Sequence, residues 1–104
     1  MFTDLVSQLL IPGVKVQRAN KRVKRGDRVY EYATYFVYVP KAYEKYVAGR
    51  EWIVTVVIDN DRYPVGLRGL SRHNKHFIIT LPNDLAYYWE KVVGKEVDVV
   101  LQRP

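Results

Sequence analysis

The chain has 104 residues, of which 48% are hydrophobic, and its formal net charge at pH 7 is +6. This length suits one small domain, or two halves that share one core, and no stretch approaches the roughly 20 apolar residues that span a membrane. The absence of cysteine excludes disulfides, thiolate zinc sites and cysteine nucleophiles, and together with nine tyrosines it is typical of proteins from hot habitats.

The N-terminal stretch "MFTDLVSQLLIPG" predicts a short amphipathic helix from Asp4 to Leu10, which Pro12 and Gly13 would end. We therefore treat residues 1–13 as an N-terminal helical segment. An acid and no basic cluster precede its apolar part, which argues against a secretory signal. We expect a cytoplasmic protein.

A strand near Val14–Arg18 is expected next, then a basic segment that turns near Gly26 and Asp27, then a strand into Pro40. Between Lys15 and Arg28 the chain has seven bases and one acid, so this segment holds the entire net charge of the protein. Concentrated positive charge attracts polyanions such as nucleic acid, although a solvated loop that only keeps the chain in solution is the simpler alternative. The seven bases are Lys15, Arg18, Lys21, Arg22, Lys24, Arg25 and Arg28.

Four aromatic residues, Tyr30, Tyr32, Phe36 and Tyr38, share one side of the strand that leads into Pro40. An aromatic side next to a basic segment can stack on unpaired bases. The alternative is packing in the core, which we expect for Phe36 and Tyr38. Tyr30 and Tyr32 remain candidates for stacking.

The sequence then repeats itself: the segments 35–58 and 76–101 both contain an apolar strand, a proline, a helical pattern, a glycine, a basic residue, a glutamate and an alternating strand. Nine positions separate Pro40 from Gly49, and twelve separate Pro82 from Gly94. The difference is close to one helical turn, so the second helix can be longer without reorienting its ends.

Each segment between proline and glycine is predicted to be a helix, because proline suits the first turn and glycine the end. Asn83 and Asp84 would cap the second helix. Apolar residues at helical spacing are expected to face the core. They are Tyr43, Tyr46 and Val47 in the first copy, and Leu85, Trp89 and Val92 or Val93 in the second.

Between the copies, "DND" at residues 59–61 suits a turn better than a metal-binding loop. The second copy then predicts a strand near Val65–Leu70, a polar turn over Ser71–Lys75 and a strand into Pro82. The chain is thus expected to be mainly β with short helices. Two tandem β-β-α-β half-units, residues 14–61 and 62–104, would share one core with pseudo-two-fold symmetry.

This pattern resembles the AbrB/MazE-like swapped-hairpin family of DNA-binding proteins over roughly residues 14–102. The second copy carries it in "VGLRGLSRHNKHFIITLP" followed by "GKEVDVVL", and the first in "FVYVPKAYEKY" and "GREWIVTVVI". In that family two chains usually interleave their hairpins into one barrel. The resemblance implies that here one chain supplies both halves, as a fused dimer that could bind as a monomer.

The resemblance also implies a transcriptional regulator or chromosome-organising protein that docks basic hairpins on duplex DNA. Its site residues carry over to Arg18, Arg22, Arg25, Arg28 and Lys41 in the first copy, and to Arg68, Arg72 and Lys75, with Asn74 in the same turn, in the second. The chain departs from the family in its longer, more basic first hairpin, in Asn83 after the second proline and in the N-terminal segment. Two alternatives remain: an antitoxin-like protein-interaction module, and a single-stranded DNA- or RNA-binding protein that uses the tyrosines.

Candidate catalytic groups are scarce. His73 and His76 lie three positions apart, but residues 62–83 contain no carboxylate that would complete a metal site. No Ser/His/Asp arrangement in a recognisable setting and no glycine-rich phosphate loop occurs. We expect no metal, no cofactor and no enzymatic activity, and the histidines are expected in a polar turn, where they could touch phosphate.

Overall fold

The computed structural model describes residues 7–104, which form one antiparallel sheet with two short α-helices. In chain order the elements are β1 (Gln8–Arg25), β2 (Arg28–Tyr38), α1 (Lys41–Val47), β3 (Glu51–Ile58), β4 (Asp61–Gly69), β5 (Ser71–His73), β6 (His76–Leu81), α2 (Ala86–Val92) and β7 (Glu96–Gln102). A 3-10 turn, Asn83–Leu85, leads into α2. The prediction of a mainly β protein with short helices is confirmed.

The seven strands follow the order β4-β3-β7-β1-β2-β6-β5, and hydrogen bonds do not close the sheet. Its two edge strands, β4 and β5, are nevertheless consecutive in the chain, and only Leu70 lies between them. The sheet must therefore curve until its two edges meet at that residue. Strong right-handed twist and bulges allow a sheet of this size to curl in this way.

The long strand β1 belongs to both parts of the curled sheet. Up to Lys15 it pairs with β7, and from Val16 onward it pairs with β2. Before this change of partner, a bulge between Ile11 and Val14 interrupts the β1–β7 pairing, and Gly13 supplies its positive φ of 65°. We call the part of β1 from Val16, together with β2, β6 and β5, the hairpin sheet.

Two tryptophans, one in a strand and one in a helix, occupy the core. Trp52 of β3 and Trp89 of α2 are both fully buried. Their indole N–H groups donate hydrogen bonds to the carbonyl oxygens of Val47 at 3.2 Å and Pro82 at 2.9 Å. Valines, isoleucines and leucines from the strands fill the remaining core, which ties both copies of the repeat into one hydrophobic unit.

The two copies pair with each other through equivalent positions. In the β2–β6 pair Val37 lies opposite Ile79, and each of these residues stands three positions before its proline. In the β3–β7 pair Thr55 lies opposite Val100, and each stands six positions after its glycine. Each copy therefore supplies the same strand positions to the junction.

The N-terminal helix prediction is wrong where the structure can be compared with it. β1 already begins at Gln8, and Leu9, Leu10 and Ile11 pair with β7. An extended chain places Leu9 and Ile11, two positions apart, on the same inner side, where both contact the core. Pro12 and Gly13 form part of the bulge and not a helix end, and the beginning of the predicted helix, including Asp4, lies outside the described residues.

The predicted turns are mostly in place. Gly26–Asp27 and Asp59–Asn60 form two-residue turns, as expected. The predicted polar turn over residues 71–75 is wrong in extent, because Ser71–His73 pairs with β6 and only Asn74 and Lys75 make the turn. The basic segment is likewise a strand up to Arg25 and not a loop, since β2 provides it with a continuous hydrogen-bonding partner.

Both proline-to-glycine segments are helical, and each has a buried side. Val47 and Trp89 are fully buried, and Val92 rather than Val93 faces inward. Tyr46 is 41% exposed, so its prediction as a core residue is wrong: the seven-residue helix α1 buries only a narrow stripe. No side chain caps the second helical segment, which contradicts the expected capping by Asn83 or Asp84.

The molecule is elongated, with principal extents of 58 × 29 × 22 Å. Its radius of gyration is 14.9 Å, against about 13 Å for a compact chain of this length. Within residues 7–104, neither helix has the length or apolar character needed to cross a membrane.

Candidate nucleic-acid interface

The outer half of the β1–β2 hairpin extends beyond the rest of the molecule. β7 pairs with β1 only as far as Lys15, and β6 pairs with β2 only from Tyr35. Residues 19–34 therefore form a two-stranded ribbon that has no other strand beside it, and we call this segment the projecting ribbon. Its tip is the tight turn at Gly26–Asp27, between Arg25 and Arg28.

The register of the projecting ribbon sorts its side chains into two faces, because directly opposed residues of antiparallel strands point to the same side. One face, which we call the aromatic face, consists of the pairs Ala19–Thr34, Lys21–Tyr32, Val23–Tyr30 and Arg25–Arg28. The opposite face consists of the pairs Asn20–Ala33, Arg22–Glu31 and Lys24–Val29. The basic residues of the ribbon are thus divided between two different environments.

On the opposite face and at its base, two arginines lie next to acids. Nε of Arg22 is 2.7 Å from a carboxylate oxygen of Glu31. At the base of the ribbon, on the same side, Nε of Arg18 is 3.6 Å from a carboxylate oxygen of Glu90 in α2. These neighbouring acids reduce the positive potential that this face presents to a polyanion.

The aromatic face, by contrast, has three cations and no carboxylate among its eight residues. Tyr30 and Tyr32 are 47% and 46% exposed, so both rings are accessible to a ligand. With Val23 and Arg25 they line a shallow pocket of about 330 Å³. Exposed rings beside guanidinium and ammonium groups are the combination that stacks bases and binds phosphates.

The base of the projecting ribbon is attached to the second copy of the repeat. The hydroxyl of Tyr35, a buried β2 residue, donates a short hydrogen bond to the Glu90 carboxylate of α2. This hydrogen bond raises the pKa of Tyr35 above its ordinary value of 10.0. Burial and the negative charge of Glu90 act in the same direction, and Arg18 opposes them. The contact joins β2 to α2 next to the base of the ribbon.

This contact predicts a loss of stability at alkaline pH. The unfolded Tyr35 ionises near pH 10, whereas the folded residue keeps its proton to higher pH, so the native state binds more protons above pH 10. We expect wild type to exceed the Tyr35→Phe variant in free energy of unfolding by about 1 kcal/mol up to that pH, and the difference to shrink above it. Urea unfolding of both proteins between pH 8 and about pH 11 measures this, and a difference that stays constant or grows would contradict the prediction.

The aromatic face continues along the hairpin sheet toward its other end. Phe36 and Tyr38 lie on the same side of β2 as Tyr30 and Tyr32. The ring centroids of Phe36 and Tyr38 are 5.3 Å apart. The facing positions of β5 and β6 supply His73, 5.5 Å from Phe36, and His76, 5.6 Å from Tyr38. Phe36 is buried, as predicted, but it packs in this outer cluster and not in the central core.

At that end the structure brings together two of the predicted binding residues. Lys41, the first residue of α1, and Asn74 of the β5–β6 turn line an open groove of about 600 Å³ with Tyr38, Pro40 and His76. Tyr38 was expected in the core, and His76 was expected only in a polar turn where it could touch phosphate, so neither was among the predicted binding residues. The parity of β2 and the two-residue turn between His73 and His76 are the sequence signals that could have found them.

The other predicted binding residues lie elsewhere. Lys15 is opposite Glu96 in the β1–β7 pair, away from the projecting ribbon. Arg68 is opposite the buried Trp52. Arg72 stacks on Phe77, with 4.6 Å between its guanidinium carbon and the ring centroid, on the other side of the β5–β6 hairpin. Lys75 lies in the β5–β6 turn, and only three residue pairs join these two strands.

The remaining groups form no further candidate centre. Within residues 7–104, no three His, Asp or Glu side chains gather in a way that could hold a metal ion. Comparison of the chain with family models, with curated proteins and with solved structures found no significant match. The projecting ribbon and the face that continues from it are therefore the basis for a functional proposal.

Proposed function

We propose that the protein binds nucleic acid by docking its projecting ribbon on the phosphate backbone, with duplex DNA as the ligand and transcriptional regulation or chromosome organisation as the role. One observation carries the proposal: three cations lie on the aromatic face of a ribbon that extends beyond the body, and no carboxylate is paired within that face. A two-stranded β-ribbon fits the major groove of B-DNA, which is about 12 Å wide.

The architecture supports the same proposal. Equivalent positions of the two copies pair with each other in both β2–β6 and β3–β7. Only Leu70 separates the two edges of the sheet. We propose that the chain is a tandem swapped-hairpin barrel, in which one chain does what two chains do in the family that the sequence resembles. A single chain would then suffice for binding.

Two variants with equal loss of charge test which face meets the ligand. One carries Lys21→Ala, Arg25→Ala and Arg28→Ala on the aromatic face, and the other carries Arg18→Ala, Arg22→Ala and Lys24→Ala on the opposite side. If about six bases meet phosphates, log K of the wild type should fall against log salt with a slope of about −5. The first variant should flatten this slope by up to about 3, and the second should do less, because two of its arginines lie against acids.

Binding to a duplex is measured across a salt series, with folding checked by thermal melting. Exposed basic side chains contribute little to stability, so both variants should melt close to the wild type. A wild-type protein that binds no duplex at low salt would contradict the proposal. Unchanged slopes in both folded variants would show that the ribbon only keeps the chain in solution.

A further inference from the structure

We infer that the outer face of the hairpin sheet binds a single strand of nucleic acid, with Tyr30 and Tyr32 stacking on unpaired bases. This inference rests on the proposed function: it keeps the duplex as a ligand that the ribbon holds through phosphates, and it adds unpaired strands, which gain stacking contacts at the same ribbon. It depends on three features of the face: its continuity, its charge and the accessibility of its rings.

The face is continuous because the registers of three strand pairs agree. Val16, Val37 and Ile79, which lie opposite one another, are all buried in the core, so the residues that alternate with them point outward. The outward positions of β2 alone are Arg28, Tyr30, Tyr32, Thr34, Phe36 and Tyr38. Since β2 has eleven residues, this row is about 35 Å long, and its side chains recur every ~6.6 Å.

The charge of this face is positive at both ends. Lys21, Arg25 and Arg28 lie at the ribbon end, and Lys41 lies beside the groove at the other end. No Asp or Glu occupies an outward position of the hairpin sheet in the part of the chain that the structure describes. A phosphate backbone can therefore run along the whole row without meeting a carboxylate on the sheet.

The rings of this face favour a strand whose bases are unpaired. In a duplex the base faces are stacked on one another, and only groove edges and phosphates are available to a protein. Tyr30 and Tyr32 lie near the start of β2, and each presents about half of its surface to solvent. Sheet faces with exposed aromatic residues bind single-stranded nucleic acid by stacking, which tolerates any base.

The experiment compares two double variants that each lose two exposed tyrosines. Tyr30→Leu with Tyr32→Leu removes the rings of the aromatic face and leaves every charge in place. Tyr46→Leu with Tyr87→Leu removes rings that are 41% and 70% exposed on α1 and α2, away from this face. The probes are single-stranded DNA and RNA of about twelve nucleotides, and a duplex of the same length, at one fixed salt concentration.

We expect the wild type to prefer a single strand to the duplex. Each lost stacking contact should weaken single-strand binding about 5- to 150-fold. The Tyr30/Tyr32 variant should keep its affinity for the duplex, and the Tyr46/Tyr87 variant should behave as wild type with every probe. A preference for the RNA over the DNA strand, or the reverse, supports the inference equally and identifies the natural strand.

Two results would overturn the inference while leaving the proposed function intact. One is duplex binding with no preference for single strands. The other is a folded Tyr30/Tyr32 variant that loses affinity for strand and duplex alike, or for neither. Absence of binding to any nucleic acid would refute both proposals. Photo-crosslinking to a bromouracil strand gives an independent check: adducts should map to Tyr30 or Tyr32, and adducts only outside the hairpin sheet would count against it.

Discussion

Replacing residues 22–31 with the dipeptide Asn-Gly should strongly weaken nucleic-acid binding and leave the body of the protein folded. Lys21 and Tyr32 already face each other in the ribbon, so they would become the closing pair of a two-residue turn, for which Asn-Gly is favoured. None of the removed residues belongs to the core, and only Val23 among them is half-buried. We expect affinity for DNA to fall at least about 100-fold, since most phosphate contacts would be lost.

The control for this truncation must match its charge. The deleted segment has four bases and two acids, so the net charge falls from +6 to +4. Lys45→Ala with Lys95→Ala makes the same change on the body of the protein, and this variant should bind nearly as well as wild type. Titration at low salt measures binding, and melting verifies folding. A folded truncation variant that binds with wild-type affinity would exclude the ribbon as the interface.

The largest effect on stability is expected for Trp89→Ala. Trp89 is fully buried in α2, and its N–H donates to the carbonyl oxygen of Pro82, so the ring anchors the helix to the residue that begins its segment. Removing so large a side chain leaves a cavity and should lower the free energy of unfolding by about 3–5 kcal/mol. That is a large fraction of the roughly 5–15 kcal/mol by which domains of this kind are stable.

Urea denaturation of three variants separates the contributions at this position. Trp89→Phe keeps an aromatic ring and loses the hydrogen bond, so its loss should be smaller than that of Trp89→Ala. Tyr88→Ala, at the adjacent and 42% exposed position, should cost much less than either. A loss of less than about 1 kcal/mol for Trp89→Ala would mean that α2 is not held by its core contacts.

The repeated parts of the fold could be predicted because their signals are local. Proline and glycine mark the ends of both helical segments, and alternating valines mark β3 and β7. The N-terminal strand could not be predicted in this way, since Leu5 and Leu9 have the spacing of a helix and Leu9 and Ile11 that of a strand. Pairing with β7, which is more than eighty residues away in the chain, determines that this segment is a strand and not a helix. Tertiary pairing overrides local preference at such positions.

The candidate site was predictable in the same partial way. Charge placement alone located the ribbon, because seven bases lie within fourteen residues. Its division into two faces requires the register, which the Gly26–Asp27 turn sets by placing Arg25 opposite Arg28. The contacts of Arg18 and Tyr35 with Glu90 have no sequence signal, since they depend on where α2 packs.

The pairing of the first strand with the last has a consequence for synthesis of the chain. β2 follows β1 directly, so the hairpin can form from neighbouring residues as soon as both have left the ribosome. The inner part of β1 must wait for β7, whose final paired residue is Gln102. Because loop closure over such a distance is slow and costly in entropy, the core is completed only after β7 has been synthesised and has paired with β1. During that interval the nascent chain carries its basic hairpin ahead of a folded body, and its unpaired apolar strands can pair with other chains.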